Sequence, residues 1–334
     1  MHAQISIDWL TFSVKDSTAD KVIKDFLGLN PELFRPEGYG LMGYQRMKHF
    51  NHIMVCYDAV ENDFFKNQGV CVSMSGAGCR AFETLSSFSK SVDNSGLKSS
   101  AFPVLFSLLG AGLVDKKVNV SRLDLACDDR KGYLDMETLV EKVRRNEINS
   151  RISKRTVMQQ FDGLERSGAT VYLGAPSSDF RVRIYDKALE QEKPEEHWIR
   201  VEMVLRSKHA CSFIQAFNES DHVGILAAQI ANGKFSFIER DDTNISRCSV
   251  CSWWLAFLDE LESLKLVCRE TTQHSVDKVC DWLELQVSPS LAIILKTFGF
   301  GKIYELALSG AERLSGAQRA LIDDYNAFRS CAMV

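Results

Sequence analysis

Long hydrophobic runs are missing from this chain. Its most apolar stretches, Trp253 to Leu258 and Leu291 to Leu295, fall far short of the ~20 residues that a membrane span requires. The first residues mix His2, Gln4 and Asp8 with apolar ones, so no secretory leader is expected. An excess of positive charge is missing as well: the formal net charge is -4. Any nucleic-acid contact must therefore come from a local basic surface. The ten cysteines lack the compact spacing of a disulfide framework, and Cys56, Cys71 and Cys127 fall at apolar, strand-like positions. Reduced thiols and a cytoplasmic location are the expectation. Cys248-Ser-Val-Cys251 has no matched second pair, because the spacing of Cys268 and Cys280 is wrong for one. Structural zinc is not expected there, and these cysteines read as parts of helical faces. There is no Walker loop, dinucleotide fingerprint or Ser-His-Asp arrangement. A His-x-His pair is absent too, since His49 and His52 are three apart and read as surface residues of a hairpin.

What the chain does have is alternation. Three segments, Ser121 to Asp129, Arg181 to Lys187 and Trp198 to Arg206, alternate polar and apolar residues as strands buried on one side do. In the first, Leu123, Leu125 and Cys127 oppose Arg122, Asp124 and Asp128. In the second, Val182 and Ile184 oppose Arg181, Arg183, Tyr185 and Lys187. In the third, Ile199, Val201, Met203 and Leu205 oppose Arg200, Glu202 and Arg206. If these strands are neighbours, their polar faces merge into one surface of carboxylates, basic side chains and a tyrosine. Such a set suits metal-assisted attack on a phosphodiester.

Around these segments the pattern predicts a strand over Ile5 to Val14, with Ile5, Ile7 and Trp9 opposing Ser6 and Asp8, then a helix over Thr18 to Leu27. A hairpin over Gly38 to Ala59 has Asn51 near its turn. A strand over Gly69 to Ser75 leads through Gly76-Ala-Gly78 into a helix from about Arg80 to Phe88. Asp135 caps a helix to Arg145. Two strands flank the turn Ala175-Pro-Ser-Ser178. The fold class expected is α+β, an antiparallel sheet with helices on its apolar face. Beyond about residue 240 helical periods take over, at Cys251 to Leu266, Ser275 to Gln286 and Ala311 to Phe328. We place a boundary between Glu239 and Arg247, giving a domain over 1–240 and a helical region over 241–334. No internal repeat stands out.

Tyr185 is the sharpest chemical candidate. A free tyrosine has a pKa near ~10 and is a poor nucleophile at neutral pH. Arg183 and Lys187 beside it would favour the phenolate and grip a phosphate. Tyr172 is the rival, without basic neighbours in sequence. The carboxylate candidates are Asp124, Asp128, Asp129 and Glu202, which could hold Mg²⁺ or Mn²⁺. Residues four apart on a straight strand are roughly 13 Å apart, so Asp124 and Glu202 are favoured as ligands, with Asp128 joining only if the strand curls. Read more plainly, these acids pair with Arg122 and Arg200 across strands. Ser75-Gly-Ala-Gly-Cys-Arg80 either cradles a phosphate, helped by Arg80, or merely turns. Arg144, Arg145, Arg151, Lys154 and Arg155 either track a DNA backbone or line a solvated helix end and loop.

Four pieces in order, Ile7-Asp-Trp-Leu-Thr11, Ser121 to Asp128, Arg183-Ile-Tyr-Asp-Lys187 and Trp198-Ile-Arg-Val-Glu202, resemble the replication initiation factor family of rolling-circle initiators and relaxases. The resemblance covers most of residues 5 to 206 and fades beyond about 240. It implies an HUH-like sheet in which carboxylates replace the metal-binding histidines. It makes Tyr185 the nucleophile that nicks and rejoins one strand at an origin through a 5′-phosphotyrosyl bond, with Lys187 and Arg183 beside it. Asp124, Asp128 and Glu202 fall on the family's acidic metal positions, for Mg²⁺ or Mn²⁺. Arg122, Arg181, Arg200, Arg206 and Arg80 are expected to contact DNA. The implied partners are single-stranded or supercoiled origin DNA, a host helicase with the replication machinery, and a second copy in a homodimer; origin specificity or dimer contacts are the expected roles of the C-terminal region. Two other readings stay open: a conjugative relaxase, and an origin-binding protein without catalysis.

Overall fold

Strand β1 (Gln4–Val14) leads into helix α1 (Ala19–Asp25), whose first turn is capped by the Thr18 hydroxyl. Strands β2 (Arg35–Glu37), β3 (Arg46–Phe50), β4 (Ile53–Tyr57) and β5 (Val70–Met74) follow, then helices α2 (Gly76–Leu85) and α3 (Phe102–Val114). A second series runs through β6 (Val118–Asp129), α4 (Met136–Arg144), β7 (Ile148–Ser150), β8 (Arg155–Asp162), β9 (Glu165–Leu173), β10 (Phe180–Asp186), the short α5 (Lys187–Glu190) and β11 (Ile199–Arg206). Helices α6 (Lys208–Ser220) and α7 (Val223–Lys234), strand β12 (Phe235–Phe237) and helices α8 (Ser252–Glu262), α9 (Ser288–Phe298) and α10 (Phe300–Glu312) complete it. The structure is a computed structural model describing residues 3–58, 69–88, 100–163, 165–266 and 287–314, with 283, 319 and 322.

The architecture is α+β, as the alternation implies. Ten strands form one sheet in the order β2-β3-β4-β5-β1-β6-β11-β10-β9-β8, every neighbouring pair antiparallel. The core packs on one face. Leu10, Phe12, Leu123, Leu125, Val182, Ile184, Val201 and Met203 join apolar side chains of α1, α2, α3, α4, α6, α7 and α8 in a single cluster. The turn between β3 and β4 is a two-residue loop in which Asn51 and His52 both have positive φ, 45° and 62°. That is the primed geometry matching strand twist, and Asn51 is the residue that marks it in sequence.

Although no internal repeat stands out in the sequence, the topology repeats. Each half opens with a central strand (β1, β6) followed by a helix (α1, α4). Four sheet strands then build inward from an edge, β2 to β5 and β8 to β11, and a further helix follows (α2, α6). The halves meet at β1 and β6, where Asp8 of Ile7-Asp-Trp and Asp124 of Leu123-Asp-Leu occupy matching places.

Several elements escaped the sequence reading. Helix α3 is apolar on nearly every side, so it shows no period. It is buried through Leu105, Phe106 and Leu109, with Phe106 edge-on to Phe217 of α6 at 5.2 Å. Gly110 gives the Asn218 amide room to donate to the Phe106 carbonyl at 2.9 Å. Edge strand β8 and helices α6 and α7 show no pattern that the sequence analysis picks out. The core also runs through the expected boundary at Glu239 to Arg247. Ile238 bridges Val250, the Trp254 ring lies 5.2 Å from both Phe235 and Phe237, and Trp254, Phe257, Leu258 and Leu261 belong to the main cluster. Helices α9 and α10 pack on each other and have no buried residue. Most of the helices expected over Ser275 to Gln286 and over Ala311 to Phe328, with Cys268 and Cys280, lie outside the described residues. Cys248 and Cys251 are free thiols that precede α8 instead of lying on helical faces. Among the described residues no helix is long and apolar enough to cross a membrane.

Candidate active site on the polar face of the sheet

The second face of the sheet carries the polar residues, brought into register by five adjacent strands. Asp128 on β6 lies opposite Arg200 on β11, which lies opposite Tyr185 on β10. One step along, Ala126, Glu202, Arg183 and Tyr172 form the next row across β6, β11, β10 and β9. Beyond it come Trp9, Asp124, Val204 and Arg181. Ala126 is the small residue at the centre, with acids on either side of it.

Asp8 is the acid that sequence reasoning missed. Between Ile7 and Trp9 the β1–β6 register shifts by one residue. A bulge of this kind leaves an extra residue and re-aims side chains. The strict alternation expected for Ile5, Ile7 and Trp9 therefore fails: Trp9 leaves the core and joins Asp8 on the polar face, where its Nε1–H donates to Thr11 Oγ1 at 2.8 Å. Arg80 holds the bulge, donating to the Ile7 carbonyl while pairing with the buried Glu83. Arg80 is thus turned inward, not outward as a DNA contact. The Ser75–Gly78 turn is explained by close approach. A Cβ on Gly76 would sit 2.9 Å from Asp8 Oδ1, and one on Gly78 would strike the His52 carbonyl. A carboxylate already stands at the start of α2, which argues against a phosphate cradle.

The expected acids divide into two sets. Asp128 is fully buried and accepts two parallel hydrogen bonds from Arg200, Nε to Oδ1 at 2.7 Å and Nη2 to Oδ2 at 3.1 Å. Pairing of β6 with β11 is regular from Asp124 to Asp128, so the strand does not curl to bring these two together. Arg200 also reaches Asp8 Oδ1 at 3.4 Å. It is an internal tie between acids, buried at 3 % exposure, instead of a free DNA contact. Asp129 turns to the other side and accepts from the backbone N–H groups of Lys131, Gly132 and Leu134.

Asp8, Asp124 and Glu202 form the second set. Arg122 donates to both Asp124 oxygens, from Nε at 2.9 Å and from Nη2 at 2.5 Å. Even so, the Asp124 carboxyl is held above its ordinary range, first by burial and also by Asp8. Glu202 is pushed up to about 7, by burial first and then by the charges of Asp8 and Asp124. Each of the three acids thus stands within the field of another. Among the described residues, no three His, Cys, Asp or Glu side chains are gathered closely enough to ligate an ion as they stand.

Tyr185 lies beside this set at 4 % exposure. The Arg183 guanidinium stacks over its ring at 3.9 Å, and Lys187 Nζ lies 5.8 Å from the ring centre. Arg200 and Arg183 do favour the phenolate, but burial outweighs them and holds the phenol pKa above its ordinary value. Lys187 opens α5 instead of extending β10 and pairs with Glu190. Among the described residues the ion pairs of Arg183 are long, 3.7 Å to Glu190 and 3.7 Å to Glu202. Tyr172, which has no basic neighbour in sequence, gains two from the fold, Arg183 opposite it and Arg181 stacked on its ring at 4.3 Å. Arg206 lies opposite Arg122 and donates to the Ser178 carbonyl at 2.9 Å. Of the second basic run, Arg144 binds Gln159, Arg145 binds Glu141 and Arg155 binds Asn146.

A ten-stranded antiparallel sheet with helices on one face is the fold of a rolling-circle replication initiator. The chain belongs to the replication initiation factor family, whose sequence pattern matches residues 118–305. The rolling circle replication initiation protein N-terminal domain matches residues 4–92. The putative DNA relaxase NicK of Bacillus subtilis (strain 168) is 26% identical over 333 residues, covering 96% of this chain and 89% of the relative. The structure of a rolling circle replication initiator protein from Geobacillus stearothermophilus superposes with a TM-score of 0.67 at 29% identity, over 80% of this chain and 99% of the other.

Proposed function

We propose that this chain is a DNA strand transferase in which Tyr185 attacks one backbone phosphate at an origin, with Asp8, Asp124 and Glu202 holding a divalent cation beside it. Origin-specific DNA nicking for rolling-circle replication is the activity that the family and its relatives support. The observation that carries the chemical reading is the register: Tyr185, Arg183, Glu202 and Asp124 lie on one face of three adjacent strands.

In the reaction a bond forms between the Tyr185 hydroxyl oxygen and phosphorus, and the bond from phosphorus to the 3′ oxygen breaks. This leaves a 5′-phosphotyrosyl link and a 3′-OH that can prime synthesis. The link keeps the phosphodiester's energy, so rejoining needs no nucleotide cofactor. Burial disfavours the phenolate, so the phenol proton leaves as the oxygen attacks and the departing 3′ oxygen takes up a proton to become the 3′-OH, with none gained or lost overall. Glu202 and Glu190 are the carboxylates whose fields reach the ring. The loosely paired Arg183 is free to grip the phosphate, with Lys187 nearby.

The chemistry of the residues suits a hard divalent ion, Mg²⁺ or Mn²⁺, because all three candidate ligands are carboxylates, and the charges of Asp8 and Asp124 act on Glu202 together with its burial. When bound, such an ion would polarise the phosphate oxygens and neutralise developing charge. Arg122 must turn aside to free the Asp124 oxygens. Asp128 serves in this reading as the anchor of Arg200, and Arg122, Arg181 and Arg206 border the track of the DNA. Cytoplasmic single-stranded or supercoiled origin DNA, a host helicase and a second copy of the chain are the partners we assign. The relaxase reading is kept because the similarity to NicK spans nearly the whole chain.

The test is nicking of supercoiled DNA carrying the element's own origin, with Mn²⁺ or with chelator. Conversion to open circles that needs the ion and is lost in Glu202→Gln supports the proposal. Nicking that persists in chelator would sink the metal half of it. Nicking confined to a conjugative transfer origin would favour the relaxase reading.

A further inference from the structure

Two aromatic rings on the polar face have no part in the chemistry described above. Trp9 on β1 and Tyr172 on β9 are each half-buried, and each has a guanidinium over one ring face. Arg122 stands 4.2 Å from the Trp9 ring centre, and Arg181 stands 4.3 Å from that of Tyr172. Asp124, Glu202 and Tyr185 lie on the strands between them, β6, β11 and β10. Four strand spacings separate β1 from β9, roughly 19 Å at about 4.8 Å each.

Trp9 is also held in place. Its Nε1–H donates to the Thr11 hydroxyl, which is itself 3.0 Å from the Ser73 hydroxyl on the neighbouring β5. An indole that only filled the core would follow Ile5 and Ile7 inward. The bulge at Asp8 turns it onto the polar face instead. Trp198 shows the contrasting case: Arg130 covers it at 3.4 Å, but its Nε1 is buried without a partner.

We infer that Trp9 with Arg122 and Tyr172 with Arg181 are base-stacking platforms for single-stranded DNA, one on each side of the phosphate presented to Tyr185. This rests on the strand-transfer reading. An aromatic ring with a guanidinium on one face offers the other face to a base, and the arginine adds attraction for the backbone. Such stacking is tolerant of base identity. The two platforms bind the nucleotides flanking the break, and origin choice lies elsewhere. Because the rings are uncharged, they add affinity without adding phosphate contacts.

The experiment is fluorescence anisotropy of a labelled oligo-thymidine strand with the full chain, across a salt series. The Tyr185→Phe background removes the chemistry. Trp9→Ala and Tyr172→Ala are each expected to weaken binding roughly 5- to 100-fold, with an unchanged slope of affinity against salt. Trp9→Phe and Tyr172→Phe are expected to keep most of it, and thermal unfolding identifies any variant that has merely lost its fold. Wild-type affinity in folded Trp9→Ala and Tyr172→Ala overturns the inference while leaving strand transfer intact, as does a loss that Phe does not rescue. If the parent protein binds no single strand and forms no adduct with origin DNA, both readings fail together.

Discussion

Arg200 grips both oxygens of Asp128 across two neighbouring strands, at 2.7 and 3.1 Å, and neither side chain retains more than 4% of its surface in solvent. Two buried charges so paired stabilise only as a pair: removing one partner strands the other in a low-dielectric interior. Arg200→Ala should therefore cost about 3–5 kcal/mol in urea unfolding, and Asp128→Ala a similar amount. Replacing both with apolar residues of similar volume should recover much of the loss. Losses that simply add in the double variant would show that the two side chains act independently.

The acids should separate in their response to cations. A ligand that binds only the folded state raises the melting temperature by mass action, about 2.7 kcal/mol at a hundredfold excess over Kd. Mn²⁺ should raise the melting temperature of the natural chain, and chelator should reverse it. Asp8→Asn, Asp124→Asn and Glu202→Gln should lose the rise. Asp128→Asn should start lower and still rise. A rise that survives Asp8→Asn but not Asp128→Asn would reassign the ligands.

Gly78 brings the start of α2 against the turn of the β3–β4 hairpin. A Cβ there would overlap the His52 carbonyl, and backbone cannot swing aside as a flexible side chain can. Gly78→Ala should destabilise the fold by about 1–3 kcal/mol, the usual range for overpacking. A change below a few tenths would mean that the hairpin moves freely relative to α2.

Burial pushes the Cys71 and Cys251 thiols up to about 12. Since the thiolate is the reactive species, both should resist alkylation in the folded chain near pH 8. Among the described cysteines Cys211 is the half-exposed one and should be labelled first. Mass-spectrometric mapping after a short pulse of iodoacetamide decides it; early labelling of Cys71 would contradict the packing of β5.

Much of the site could be read from the chain because alternation is a period-2 signal that survives in β6, β10 and β11. It put Asp124, Asp128, Arg200, Glu202 and Tyr185 on one face, and the register confirms that face. Two features had no local signature. The bulge at Asp8 breaks the alternation without a glycine or proline to mark it, so Asp8 and Trp9 were assigned to opposite sides. The duplicated topology was invisible because matching strands share little beyond Ile7-Asp and Leu123-Asp. The electrostatics misled for a physical reason: neighbouring cations suggested a low pKa for Tyr185, but desolvation outweighs them once the ring is buried. Helix α3 was missed because a helix apolar all round has no polar face to count from.

The most direct test of the account is to map the covalent adduct between the protein and single-stranded origin DNA in the presence of Mn²⁺. The natural chain is compared with Tyr185→Phe and Tyr172→Phe, all shown to be folded. The account predicts one 5′-phosphotyrosyl peptide, containing Tyr185, absent in Tyr185→Phe and retained in Tyr172→Phe. An adduct that persists in Tyr185→Phe and disappears in Tyr172→Phe would contradict it and move the nucleophile to the neighbouring strand.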